Sequence, residues 1–196
     1  SANSQWELLS KQVEEFKPES VSLADERYVD SLRNSLSGNS VQVLTGANSV
    51  KEMVSRENVD IVLSAIVGGA GLPAAIEVIK NKKTLALANK EALVMAGGLI
   101  MPMAKDNGVN IIPVDSEHSA VLQALRSGRR EEVKKIIITA SGGPFRNHPK
   151  EKLSEVTKEE ALNHPTWSMG DKITIDSATM MNKALEVIEA KWLFDL

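Results

Sequence analysis

A parallel α/β fold is predicted for the first half of this 196-residue chain, and three observations predict it. Short β-rich runs alternate strictly with helical stretches, the order of repeated βαβ units. Residues 60–67 (DIVLSAIV) and 84–88 (TLALA) are nearly continuous apolar runs, as expected of strands covered on both faces. Each interval between strands is long enough for a right-handed helical crossover. Composition agrees with a packed domain: 42% of residues are hydrophobic and 25% are charged, which excludes intrinsic disorder.

The elements follow in order. Residues 5–16 fit a helix, and 21–24 (VSLA) a strand, followed by a helix over 25–36. Residues 41–44 (VQVL) are the next strand, with a helix over 49–56. The run 60–67 is broken by Gly68-Gly69-Ala70-Gly71, and Pro73 suits the first turn of the helix that continues to 81. The strand 84–88 leads to a longer helix over 91–107, stopped by Gly108, and 110–114 (NIIPV) is a further strand. No G-x-G-x-x-G phosphate loop occurs, and the Gly-rich turn at 68–71 lacks its spacing. The second half changes character. Residues 135–139 (KIIIT) are a predicted strand, 149–163 hold a short amphipathic stretch, and 164–170 (HPTWSMG) are a loop. Residues 172–175 read as a strand, and a helix starts at Ser177. The domain boundary falls near Val114.

Other classes are excluded on composition. Twenty-three basic against 26 acidic residues give a net charge of −3, so nothing marks the chain as a nucleic-acid binder. Without cysteine there is no disulfide framework, thiolate nucleophile or cysteine-ligated zinc. No apolar run approaches the roughly 20 residues of a membrane span, and no secretory signal is visible in the first 20 residues.

Chemistry concentrates beyond the strand at 110–114. Asp115 and Glu117, two apart, can aim two carboxylates at one point past the carboxyl end of a parallel strand, where open α/β sheets bind ligands. The same spacing fits a helix cap with an acidic first turn. Asn182 and Glu186 share a helix face, so Glu186 can add a third oxygen for a hard divalent cation, while Lys183 and Glu186 also fit a plain surface pair. Ser177, Asn182 and Lys183 at a helix start, or Ser141-Gly142-Gly143, offer a phosphate donors and charge. Either is equally a plain turn. The loop carrying His164 and Trp167 can close over a ligand or pack on its own domain. Asn89-Lys90-Glu91 lies just past another strand, and also reads as a helix cap.

Taken together, Ala88-Asn89-Lys90-Glu91, Pro113-Val114-Asp115-Ser116-Glu117-His118, Ser141-Gly142-Gly143-Pro144-Phe145, the loop at 164–170 and Asp176-Ser177-Ala178-Thr179-Met180-Met181-Asn182-Lys183 closely resemble 1-deoxy-D-xylulose 5-phosphate reductoisomerases along essentially the whole chain. The resemblance implies a truncated Rossmann-like, NADP-binding parallel sheet over residues 1–114, followed over 115–196 by part of an α+β catalytic domain. It implies NADPH and Mg²⁺, Mn²⁺ or Co²⁺ as cofactors. It implies rearrangement and reduction of 1-deoxy-D-xylulose 5-phosphate to 2-C-methyl-D-erythritol 4-phosphate in non-mevalonate isoprenoid synthesis.

By resemblance, Asp115, Glu117 and Glu186 are metal ligands and, with Lys183, catalytic. Lys90, Ser116, Glu117, Ser141, His164, Ser177, Asn182, Lys183 and Glu186 meet the substrate. Asn89, Glu91 and Gly170 meet NADPH. Asn3, Ser4 and Gln5 fall where the family binds the adenosine ribose and 2′-phosphate, although the basic residue often found there is missing. The 164–170 loop matches the family's flap. The partners implied are a phosphorylated sugar and a second copy of the complete enzyme, with no nucleic acid and no membrane. The location implied is the bacterial cytoplasm, with the plastid stroma as the alternative. Both ends look cut. The family's first strand and pyrophosphate loop are expected before Ser1 and a helical domain after Leu196, so this chain alone is expected to be inactive. The competing readings are a metal-dependent phosphoryl-transfer or hydrolytic enzyme on the same carboxylates, and a binding module that has lost its chemistry.

Overall fold

The computed structural model describes residues 1–195. Helix α1 (Trp6–Phe16) precedes β1 (Ser20–Leu23), α2 (Val29–Ser35), β2 (Gln42–Thr45) and α3 (Ser49–Val54). Strand β3 (Ile61–Ser64), α4 (Leu72–Lys80), β4 (Thr84–Leu87), α5 (Lys90–Asp106), β5 (Ile111–Pro113) and α6 (Ser116–Arg126) follow. The remainder carries α7 (Lys158–Leu162), α8 (Asp171–Ala178) and α9 (Met181–Phe194). The alternation produces parallel pairing throughout: β1 with β2, β3 with β4, and β4 with β5, the last in a register that sets Leu85 opposite Ile111.

Helix starts and stops have local causes. Asp25 caps a 3₁₀ turn ahead of α2 by accepting from Arg27 N–H at 3.1 Å. Pro73 sits in the first turn of α4, where its missing N–H costs nothing. Gly108, at φ +66°, ends α5 in the left-handed region. On α4, Ala75, Val78 and Ile79 form a stripe that packs on Leu85 and Leu87 of β4 and on Leu93 and Ile100 of α5. A second core joins Leu9 and Val13 of α1 to Val21 and Leu23 of β1 and Leu32 of α2. Helix α9 crosses back onto α5, and Trp192 lies against Gly97.

Several expectations are corrected. The sheet is in two pieces, β1-β2 and β3-β4-β5, which flank a cavity of about 1000 Å³ lined by Ala2, Asn3 and Ala24 on one side and residues 61–67 on the other. Strand β3 is an edge strand, and one of its faces is also uncovered, with Ile61 and Leu63 62% and 63% exposed. Residues 135–139 form no strand, because no described strand lies beside them to complete the ladder. Residues 172–175 are helical, inside α8. Thr174 donates both its N–H and its hydroxyl to Gly170 O, and Lys172 pairs with Asp176 one turn on, so the backbone is satisfied locally. Ser177 consequently lies in the last turn of α8, not at a helix start. The helix start is at Met181, just after Met180 turns the chain at φ +62°.

Candidate metal and substrate site

Asp115 leaves the carboxyl end of β5 and caps α6 through Oδ1, which accepts from Glu117 N–H at 3.2 Å. The second oxygen, Oδ2, takes no part in the cap and lies 2.6 Å from Lys90 Nζ. Lys90 opens α5 at the carboxyl end of β4, so two adjacent strand ends deliver opposite charges to one point. Glu186 arrives from α9, with its side chain 1% exposed. Its Oε1 receives Lys90 Nζ at 3.0 Å and Asn182 Nδ2 at 2.5 Å, and its Oε2 receives Lys183 Nζ. Lys183 also reaches Glu117 Oε1 at 3.4 Å, and Ser116 donates to Glu117 Oε2 at 2.6 Å.

The charges explain the protonation states. Burial opposes the Lys90 charge, but the hydrogen bonds and charges of Asp115 and Glu186 outweigh it and raise its pKa. Burial likewise opposes ionised Asp115, and Lys90 outweighs that too, so its pKa is lowered. Asp115, Glu117 and Glu186 each bring an oxygen within 4.8 Å of the others. Two lysines against three carboxylates leave the group one charge short of neutral, and the donors are all hard oxygens. That set fits a divalent cation of the magnesium type.

A second buried group lies behind the first. His118 on α6 directs Nε2 to Glu186 O at 2.9 Å and Nδ1 to Glu189 Oε2 at 3.1 Å, with Asp115 Oδ1 at 3.7 Å. Burial opposes its charge, but Glu189, Glu186 O and Asp115 raise its pKa. Sequence reasoning missed both His118 and Glu189. The available signal was the i,i+3 spacing of Glu186 and Glu189, which puts them on one helix face.

The substrate-side residues gather around a cavity of about 630 Å³. Lys90, Asp115, Ser116, Glu117, Ser141, His164, Ser177, Asn182, Lys183 and Glu186 all line it, as do Arg146 and Trp167. His164 Nδ1 accepts from Thr166 N–H and Trp167 N–H at 3.1 and 3.0 Å, so in the neutral ring the proton sits on Nε2. That Nε2 donates to Ser141 Oγ at 3.1 Å, and Gly143 N–H donates to the same oxygen at 3.3 Å. Ser141 thus accepts twice and keeps its own O–H to offer to a ligand. Gly142 and Gly143, at φ +82° and +66°, make the turn that allows this. Arg146, also unforeseen, lies over that turn, its Nη1 donating to Ser141 O at 3.3 Å.

The residues expected to meet NADPH are not collected in the same way. Asn3 lines the cavity between the two sheets, while Ser4 and Gln5 stand outside it at the start of α1. Asn89 is buried and committed: Oδ1 caps Ala92 N–H at 2.7 Å and Nδ2 reaches Gly68 O at 2.9 Å, joining β4 to the Gly-rich turn after β3. Glu91 pairs with Lys172, and Gly170 caps α8.

These features define a parallel α/β protein that holds a carboxylate–lysine cluster at the carboxyl edge of its sheet. The family model described as 1-deoxy-D-xylulose 5-phosphate reductoisomerase matches residues 1–97, and that for the reductoisomerase C-terminal domain matches residues 111–194. The chain belongs to the 1-deoxy-D-xylulose 5-phosphate reductoisomerase family. A reductoisomerase of Geotalea uraniireducens is 54% identical over 196 residues, covering 100% of this chain and 51% of the relative. That of Ruminiclostridium cellulolyticum is 54% identical over 194 residues, covering 99% and 51%. A crystal structure of a reductoisomerase in complex with NADPH, fosmidomycin and magnesium superposes with a TM-score of 0.88 at 40% identity, over 100% of this chain and 50% of that one. The Zymomonas mobilis enzyme in complex with NADPH gives 0.87 at 41%, over 100% and 51%. The chain thus spans about half the length of the curated relatives it matches.

Proposed function

We propose that this chain carries the metal and substrate site of a reductoisomerase that converts 1-deoxy-D-xylulose 5-phosphate to 2-C-methyl-D-erythritol 4-phosphate with NADPH. The observation that carries the reading is the single cavity lined by three convergent carboxylates and the serines, lysines, asparagine and histidine that the family resemblance marks. Asp115, Glu117 and Glu186 would hold Mg²⁺, Mn²⁺ or Co²⁺. Such a cation, when bound, supplies Lewis-acid stabilisation of negative charge on a substrate oxygen. NADPH supplies the hydride, which no side chain can. Asn3, Ser4, Gln5, Asn89, Glu91 and Gly170 are the proposed cofactor residues, Asn89 acting through the turn its amide fixes.

The remaining work falls to the chain itself. Lys90 spends its three N–H groups on Asp115 Oδ2, Asn182 Oδ1 and Glu186 Oε1, which ties the start of α6 to α9 and holds the Asp115 carboxyl below its ordinary range. Lys183 and Asn182, in the first turn of α9, add a full charge and an amide at the positive end of a helix, a favourable setting for the substrate phosphate. The Ser141 hydroxyl, oriented by His164, donates from the opposite wall. The 164–170 loop, with Trp167 61% exposed, is placed to cover the ligand and exclude water. The whole enzyme is proposed to be a cytoplasmic homodimer. Among the described residues no helix is long and apolar enough to cross a membrane.

The test is NADPH oxidation by the whole protein with 1-deoxy-D-xylulose 5-phosphate and Mn²⁺. Stoichiometric oxidation with no release of inorganic phosphate is the expected result. Phosphate release without NADPH oxidation would overturn the reading.

A further inference from the structure

The loop at 164–170 stands on two feet. The upstream foot is His164, bonded to Ser141 Oγ. The downstream foot is Lys172, in the first turn of α8, with Nζ 2.6 Å from Glu91 Oε1 and 2.6 Å from Asp176 Oδ2. Glu91 adjoins Lys90, the residue that faces Asp115 and Glu186. One short piece of α5 therefore touches both the carboxylate cluster and the end of the loop.

We propose that Lys172 is a positioning residue that sets the downstream end of this loop in register with the carboxylate cluster, through Glu91.

The charges require such a residue. The Glu91 and Asp176 side chains are only 18% and 17% exposed, and they come from different helices. Both lie against one nitrogen, so without it two largely buried carboxylates face each other across the α5–α8 junction and push it apart. Among the described residues no other basic group forms an ion pair with either. Burial opposes the Lys172 charge, yet Asp176 and Glu91 outweigh it and raise its pKa. Lys172 itself is 46% exposed, so its contribution to global stability is small, as for other solvated pairs. Its effect falls on where the loop sits. A misplacement of about 1 Å in a closing element is enough to cost up to roughly 100-fold in turnover efficiency.

The proposal rests on the reductoisomerase reading only for its kinetic readout. Lys172→Met and Lys172→Arg are compared with wild type in this chain by the rate of limited proteolysis within residues 164–170 and by Mn²⁺ affinity. The same substitutions are made in the whole protein, as in the test of the function proposed above, for kcat and KM. Lys172→Met is expected to speed cleavage of the loop, to leave Mn²⁺ affinity within about twofold, and to raise the substrate KM roughly tenfold or more. Lys172→Arg is expected to restore each readout, and Glu91→Gln, by removing one of the two facing carboxylates, to bring loop cleavage in the Lys172→Met background back toward wild type. Unchanged proteolysis and KM in Lys172→Met would overturn the proposal, as would loop cleavage that is faster in the Lys172→Met, Glu91→Gln double variant than in Lys172→Met alone. A kcat that falls in proportion to the folded fraction at constant KM would also overturn it. Failure of wild type to bind Mn²⁺ would instead count against the function proposed above, while the proteolysis comparison would still decide the role of Lys172.

Discussion

Replacing Gly97 with alanine tests how the α5–α9 contact supports the site. A Cβ built at Gly97 lies 2.4 Å from Trp192 Cδ1 and Cγ. Carbon atoms pack at about 3.5–4.0 Å, so the ring has to retreat by more than about 1 Å. Overpacking of this kind costs about 1–3 kcal/mol. Against it stands the better helix propensity of alanine, about 1 kcal/mol. The severity of the contact puts the cost near the upper end, so the net expectation is destabilisation by about 2 kcal/mol. The opposite sign is expected once the ring is gone: in a Trp192→Ala background, Gly97→Ala stabilises by up to about 1 kcal/mol. Urea unfolding followed by circular dichroism, on both single variants and the double variant, gives all the terms. Helix α9 also carries Asn182, Lys183 and Glu186 toward Lys90 of α5, so the displaced helix should weaken Mn²⁺ binding in Gly97→Ala. The packing argument is refuted if Gly97→Ala stabilises the wild-type background, or if its effect has the same sign in both.

Two further outcomes follow from the site. Trp167→Ala should leave stability within about 0.5 kcal/mol, because the ring is largely exposed, while raising the substrate KM of the whole protein under the function proposed above; a loss of several kcal/mol with normal KM would contradict it. Burial opposes ionised Glu91, but Lys172 outweighs it and holds the carboxyl below its ordinary value of 4.5. A depressed folded pKa contributes stability that is present above 4.5 and is lost as the pH falls through the folded value. Glu91→Gln should therefore be less stable than wild type at neutral pH, with the gap closing in acid. A gap that widens in acid would show that the pairing with Lys172 is not its source.

How much was legible in the sequence differed between the two halves. The strands from β1 to β5 carry their own apolar runs, and Pro73 and Gly108 punctuate the helices in ways that depend on no distant partner. The errors arise where partners decide. Residues 60–67 look fully buried from composition, yet the burial of a strand face depends on what lies beside and over it, and β3 is at an edge. Ile136, Ile137 and Ile138 are strong strand formers, but among the described residues no strand lies beside them to form a ladder. Ile173-Thr174-Ile175 resembles a strand by β-branching and is helical because Gly170 O accepts twice from Thr174. For the site, spacing alone could not decide whether Asp115 was a cap or a ligand; the structure shows the cap through Oδ1 and an ion pair with Lys90 through Oδ2. Spacing offered Glu186 either as a third oxygen beside Asp115 and Glu117 or as half of a surface pair, and the family resemblance chose between the two, since no local pattern links α9 to the end of β5. His118 and Glu189 escaped notice because each looks ordinary until α6 and α9 are packed together.

The most direct test of the central claim is a Mn²⁺ titration of this chain followed by electron paramagnetic resonance of the free ion. Asp115→Asn, Glu117→Gln and Glu186→Gln are titrated in parallel, with Glu132→Gln as an exposed control and circular dichroism to establish that each variant is folded. The account predicts one site per chain, weakened at least about tenfold in each of the three carboxylate variants and unchanged in the control, since each removes one anionic oxygen ligand. A folded wild-type chain that binds no Mn²⁺, or one whose binding survives in all three variants, would contradict it.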